Sequence, residues 1–416
     1  MPRHRCRLPL LAVLIGIGVG CTDAPPATAP PTTPPPAPLP PAEVNMSATG
    51  MVGGPLRFLS PDESRLFARG AGVFARLFEP GDGLGPLFNA EGCGACHEVP
   101  VLGGAGSNDP AEEGEDVELH GTEVHGATSC DNLSTVGGPV FQKEATEALQ
   151  GIGIDHEEPP ATAARANRTT PDVFGFGLLD AVPDAEILAL ADPNDRNGDG
   201  ISGRPNRTAD GRLGRFGRKA QVARLDEFNA EAFVQEMGIT NPGFPVEQIP
   251  GGVPFPEGID QTGEPEVPQE DLDAANGFVR FLAPPPPPRL DLVGLRGFMN
   301  FARIGCASCH VPALVTGPNP SRALRFRVVR AYTDLLLHDM GPELADICLA
   351  QAAPAEFRTE PLMGLRFATA FLHDGRAATI QQAITLHDGE ARRARNRFLR
   401  LSPFDRAALL RFLHSL

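Results

Sequence analysis

At 416 residues, 41% of them hydrophobic, the chain can bury more than one sizeable core and exceeds the length of a single small domain. A formal charge of −16 argues against nucleic acid and anionic membrane surfaces as partners, and it admits a basic protein partner. Trp is absent, Tyr occurs once (Tyr332) and Phe 24 times, so an electron-hole relay through Trp is excluded.

In chain order, residues 1–20 read as an export signal. Arg3, Arg5 and Arg7 form a basic start, and Leu8 to Val19 is apolar but too short to cross a bilayer. Cys21 follows Gly20 as in a lipoprotein cleavage site, although Gly18 stands where Leu is usual, and it is the expected lipid attachment. Residues 21–55, rich in Pro, Ala and Thr, form an extended linker. The expected location is periplasmic or extracytoplasmic, with membrane contact only through the N-terminal lipid.

Ser60-Pro61-Asp62-Glu63 is a capping box. It opens a helix whose Phe67, Ala71, Phe74 and Phe78 make one apolar stripe. Cys93-Gly-Ala-Cys96-His97 comes next, and Cys306-Ala-Ser-Cys309-His310 repeats it. C-x-x-C-H is the attachment signature of haem c: two thiols, spaced to the two vinyl groups, add covalently, and the His ligates the iron. A zinc knuckle would need four ligands gathered locally, and a redox disulfide has no use for the His. Two haem c groups are therefore expected on Cys93, Cys96, Cys306 and Cys309, with His97 and His310 as axial ligands.

The polar, loop-rich stretch after the first motif holds His120, His125 and His156, each read as solvated. Cys130 and Cys348 remain once the other cysteines are assigned; in an oxidising compartment a disulfide is expected, with free reactive thiols as the alternative. Asp195-x-Asn197-x-Asp199-Gly200 matches the first half of an EF-hand loop, but its twelfth position is Asn206 where Glu is needed. Calcium in a simpler loop and a purely structural turn both stay open.

Leu272, Ala275, Val279 and Leu282 fall on one helical face, and the run Pro284–Pro288 then ends any regular structure. Ser402-Pro403-Phe404-Asp405 caps a terminal helix carrying Leu409, Phe412, Leu413 and Leu416. Phe88-Asn89-Ala90 before the first motif matches Asn300-Phe301-Ala302 before the second, and Pro100 and Pro312 follow each His, as a duplication would leave them. The expected fold is mainly α: two cytochrome c-like domains, residues 56–283 with a long loop-rich insertion and 289–416, joined by the prolines of 284–288.

Five stretches carry a resemblance. They are Gly85-Pro86-Leu87-Phe88-Asn89, Asp195 through Gly203, Gly214 through Ala220, Asp334 through Gly341, and Phe371-Leu372-His373-Asp374-Gly375-Arg376. From about residue 57 onward the chain resembles the bacterial di-haem oxidoreductases, relatives of the di-haem cytochrome c peroxidases that are often called thiol oxidoreductases. It departs from them at Met363, where relatives carry Trp. The resemblance implies His387 as distal ligand of the C-terminal haem, at the place of a Met in related peroxidases. Met340 and His338 are weaker distal candidates. His373 is expected in a hydrogen-bonding role near the haem, with Arg376 on a propionate or at the surface. Related peroxidases also hold calcium between their haems.

The resulting expectation is a redox enzyme, peroxidase-like towards peroxide or a small substrate, exchanging electrons with a protein such as a basic cytochrome or cupredoxin. The alternative is a non-catalytic carrier passing electrons to a membrane partner.

Overall fold

A computed structural model describes residues 43–44, 46–107, 117–125 and 129–416. The expected export signal, Cys21 and most of the expected Pro-rich linker lie outside the described residues. Pro41–Leu416 forms one compact unit. Among the described residues seven helices exceed five residues: α1 (Pro61–Phe74), α2 (Leu225–Met237), α3 (Gln269–Phe281), α4 (Leu292–Ile304), α5 (Ile380–Leu386), α6 (Arg392–Leu399) and α7 (Pro403–Leu413). None is long and apolar enough to cross a membrane.

Local chemistry sets where the helices begin. Ser60 accepts a hydrogen bond from the Glu63 amide while the Glu63 carboxylate accepts one from the Ser60 amide at 2.6 Å, which completes the capping box of α1. Asp291 caps α4 and Ser402 caps α7 in the same way, each taking an orphan amide of the first turn. α1 ends at Phe74, and Phe78 lies beyond it. Phe78 leaves the expected stripe because its amide bonds to Glu91 O and its ring joins a second core with Leu84, Phe233 and Met237.

α1 packs on α3, and α4 packs on α7, through the same contact made twice. A Cβ on Gly70 would lie 1.9 Å from the Ala274 carbonyl oxygen; one on Gly297 would lie 2.1 Å from that of Ala408. One turn on, Phe74 meets Phe278 at 4.8 Å between ring centroids, and Phe301 meets Phe412 at 5.5 Å. Each of these pairs also touches the motif His: Phe74–His97 is 5.8 Å and Phe301–His310 is 6.4 Å. The repeat thus aligns Phe74, and not Phe88, with Phe301. The mismatch arises because 18 residues separate α1 from Cys93, whereas α4 runs almost directly into Cys306.

The loop-rich stretch carries a sheet. Its central strand β1 (Val117–His125) pairs antiparallel with β2 (Ser129–Asp131), β3 (Val140–Phe141) and β4 (Ala164–Thr169). A second ladder joins β5 (Leu337–Asp339) to β6 (Glu356–Arg358), and Arg204 bridges to Leu337 on the free edge of β5. The largest core draws on both sides of the prolines, with Phe174, Leu178 and Phe278 before them and Leu314, Leu335 and Met363 after.

Candidate haem sites

The second motif stands at the C-terminal end of α4. Gly305, with φ +105°, turns the chain out of the helix and presents Cys306. His310 donates from Nδ1 to the Tyr332 carbonyl at 3.0 Å. Tyr332 itself has φ +53°, a strained conformation for a side-chain-bearing residue that aims this carbonyl at the ring. A cavity of about 440 Å³ opens beside the motif, lined by Cys306, Cys309, His310 and His387 among mostly apolar neighbours. His387, which caps α5, donates from Nδ1 to Ala383 O at 2.7 Å. Burial, with the nearby His387, pushes the His310 imidazole down to about 4. Both rings are thus neutral near pH 7, with Nδ1 protonated and Nε2 the unprotonated nitrogen of each. Two thiols and two such imidazoles around one apolar cavity are a donor set that fits a haem.

His338 lies on the wall of this cavity but serves differently. Its Nε2 meets Asp334 Oδ2 at 2.9 Å and its Nδ1 meets Glu390 Oε2 at 2.7 Å, with Cys309 Sγ at 3.5 Å. Burial works against a charge on the ring, but Asp334, Cys309 and Glu390 outweigh it and hold the imidazole well above its ordinary value. With both nitrogens engaged, His338 is a buried cation beside the haem site. Met340 lines the cavity two residues on.

His373 is also at the wall, stacked on Phe357 at 4.3 Å and 3.5 Å from Asp346, which pairs with Arg168 and Lys219. Burial and the Arg168 charge push it down to about 4. Arg376 falls outside the cavity lining: its guanidinium is engaged by Asp374 at 2.5 Å and by Glu343 O at 2.7 Å. The arginines that line the cavity are Arg218, Arg358, Arg393, Arg395 and Arg397.

At the first motif, His97 donates from Nδ1 to the Gly104 carbonyl at 3.1 Å, and burial pushes the Cys93 thiol up to about 12. His120 is not a solvated residue. It is half-buried on β1, its Nε2 is 2.9 Å from Glu118 Oε2, and its Nδ1 is buried without a hydrogen-bond partner. The exposed His156 pairs with Glu158, and the side chain of His125 lies outside the described residues. Burial would raise Glu118, yet the His120 hydrogen bond and the charges of His97 and Arg218 hold it below the usual carboxylate range. Glu236, hydrogen-bonded to Asn89 at 2.9 Å, is instead pushed well up by burial and by Glu118. The signal in the sequence was the period of two in Val117-Glu118-Leu119-His120, which puts Glu118 and His120 on one face of a strand.

The cysteines left over are joined: Cys130 and Cys348 form a disulfide with Cα atoms 5.9 Å apart. In the 195–203 loop the oxygen donors turn inward. Asp195 takes the Gly200 amide, Asn197 that of Asp199, and Asp199 that of Ile201. Asn206 is buried, donating to Lys219 O and Leu349 O. The loop is tied to the second haem site, because Glu390 accepts from the Ser202 amide at 3.0 Å and hydroxyl at 2.5 Å. The carboxylates that do converge, among the described residues, are Glu247, Asp260, Glu264 and Glu266. Burial and the charges of Glu266, Glu264 and Asp260 push Glu247 up to about 9.

A family model described as "Di-haem oxidoreductase, putative peroxidase" matches residues 162–416, which include the second motif. No curated protein matches the chain. Among solved structures, hydrazine synthase of Kuenenia stuttgartiensis is 13% identical with a TM-score of 0.40, covering 95% of this chain and 100% of that one. A MauG-like protein associated with microbial copper homeostasis is 13% identical at 0.37, covering 91% and 93%. A variant of the diheme peroxidase BthA from Burkholderia thailandensis is 14% identical at 0.38, covering 90% and 95%.

Proposed function

The chain belongs to the di-haem oxidoreductase family, and from that premise we propose a periplasmic, lipid-anchored di-haem c enzyme that reduces peroxide at its N-terminal haem with electrons held at its C-terminal one. The observation that carries this reading is the asymmetry of the two sites. The second gathers two imidazoles, His310 and His387, about one cavity. The first has His97 at its motif, and the charge of His97 acts on the Glu118 carboxylate, which is itself hydrogen-bonded to His120. Haem c at each motif supplies the redox-active iron.

His310 and His387 close the second site against added ligands, which suits storage of an electron. In the first site Glu118 Oε2 is an ionised base in reach of His120 Nε2. The pair takes a proton from incoming peroxide and returns it to the departing oxygen, so that peroxide, two electrons and two protons give two waters. With no Trp and one Tyr, the chain has little to carry oxidising equivalents to a bulky distant substrate, which favours a small molecule at the haem. The 195–203 loop, its donors spent on its own amides, acts structurally by fixing Glu390 and through it His338.

The test is stopped-flow mixing of half-reduced holoprotein with peroxide. Wild type should lose its ferrous signal rapidly, and Glu118→Gln should slow that step by about 10²-fold or more with haem content and dithionite reduction unchanged. If both haems stay low-spin and inert to peroxide at every reduction level, the protein is an electron carrier.

A further inference from the structure

Acidic residues outnumber basic ones by 52 to 36, yet they are unevenly spread. Leu292 to Thr333 holds six arginines and no Asp or Glu, and Val44 to Ser60 holds Arg57 and no acid either. Tertiary structure brings these two stretches together. Glu43–Val44 pairs in parallel with Arg327–Val328, and the Arg57 amide donates to Met46 O at 3.0 Å. The ring of Phe58 then collects three guanidinium groups, those of Arg327, Arg322 and Arg57, at 4.7, 4.9 and 5.2 Å from its centroid. Phe58 holds this place with φ +69°, a left-handed backbone that a bulky side chain adopts at a cost.

An aromatic ring attracts cations without neutralising them. Arg57 and Arg322 are exposed, and neither has a carboxylate within ion-pair distance among the described residues. Arg327 is 7% exposed and donates to the Arg322 carbonyl at 2.6 Å, which ties down the backbone that carries Arg322. Arg325, also exposed, follows three residues on. The spot is basic on a protein that is otherwise acidic.

The direction of the pairing gives the spot its place. Because Glu43 pairs with Arg327 and Val44 with Val328, the chain before Glu43 leaves on the side of Arg325 and Arg322. Residues 21–42 lie before it, 22 in number, and reach several tens of ångströms at about 3 Å each. A tether of that length limits distance from a membrane and leaves orientation open.

We propose that Arg57 and Arg322, gathered about Phe58 at the root of the linker with Arg325 beside them, dock the body onto the headgroups of an anionic phospholipid bilayer. The proposal rests on the reading above that the chain is lipid-anchored. The net charge of −16 repels the rest of the protein from such a surface, so one basic spot decides which side faces it. The tether selects lipid over a soluble acidic partner, since it holds this end of the body near the membrane at an effective concentration that no soluble partner has.

Full-length holoprotein carrying Cys21→Ser, which lacks the expected lipid, is floated with vesicles of phosphatidylethanolamine and phosphatidylglycerol in equal parts, and with vesicles of phosphatidylcholine alone. It should bind the anionic vesicles at least about tenfold more tightly at low salt, and the difference should fade as salt rises. Arg57→Glu and Arg322→Glu should each weaken that binding about tenfold or more, with haem content and melting temperature unchanged. Arg165→Glu, the same change of charge at an exposed position of β4, should cost much less. The proposal falls if phosphatidylcholine binds as well, if neither vesicle binds, or if Arg165→Glu weakens binding as much as the other two. Mass spectrometry of the unaltered protein reads the tether separately. Without lipid on Cys21 the anchored reading fails, while vesicle binding that follows Arg57 and Arg322 leaves the surface standing.

Discussion

In the proposed function, the His387 imidazole is what closes the second haem site. His387 reaches the second cavity because α5 ends on it, with Nδ1 tied to Ala383 O. On the proposed reading, replacing it with Gly removes the distal ligand and leaves a gap that an added imidazole can fill. In His387→Gly holoprotein, electron paramagnetic resonance should show one low-spin signal replaced by a high-spin one, with the other haem untouched, and added imidazole should restore the low-spin form. An unchanged spectrum would move the ligand role to Met340. His338 is the poorer substitute, since Asp334 and Glu390 hold both of its nitrogens. Around the first haem the comparable difference is charge: Glu118 is held ionised by His120, whereas Glu236 beside it is pushed towards the neutral acid.

Between helices, two glycines set how closely the haem-bearing pairs approach. Gly70 faces the Ala274 carbonyl and Gly297 that of Ala408, each with no room for a methyl group. Gly70→Ala must push α1 off α3, a misfit worth about 1–3 kcal/mol against the fold. Gly72, two residues on in the same helix, has nothing within 4 Å of its added Cβ. Gly72→Ala should therefore stabilise by about 0.5–1 kcal/mol through helix propensity. Thermal unfolding followed by circular dichroism should show the two shifts with opposite signs. Equal shifts would mean that the crossing tolerates a larger separation.

Across the whole molecule, the Cys130–Cys348 bridge joins β2 to the segment after β5 over a sequence separation of 218. Closing so long a loop removes much denatured-state freedom, which in the chain-entropy account amounts to about 5 kcal/mol. Cys130→Ser and Cys348→Ser should each lower the melting temperature by a similar amount and speed proteolysis of the β1 sheet. Haem content should not change, because both attachment motifs lie elsewhere in the chain. A variant as stable as wild type would show that the shared core holds the sheet without the bridge.

Covalent and local rules made much of this legible from residues alone. C-x-x-C-H announces itself because haem attachment needs that spacing, and Ser60 and Ser402 announce helix starts because orphan amides need acceptors. The family resemblance could be read from contiguous stretches, and it named His387 as a candidate, a residue that the tertiary structure places on the wall of the second cavity. Contacts distant in sequence could not be read this way. Nothing in Glu118 or His120 taken singly brings either within range of the His97 charge, because the placing of β1 and of the first motif does that. Phe78 went elsewhere for the same reason, drawn by the second core, whereas Arg376 took the surface alternative, held by Asp374 two residues before it.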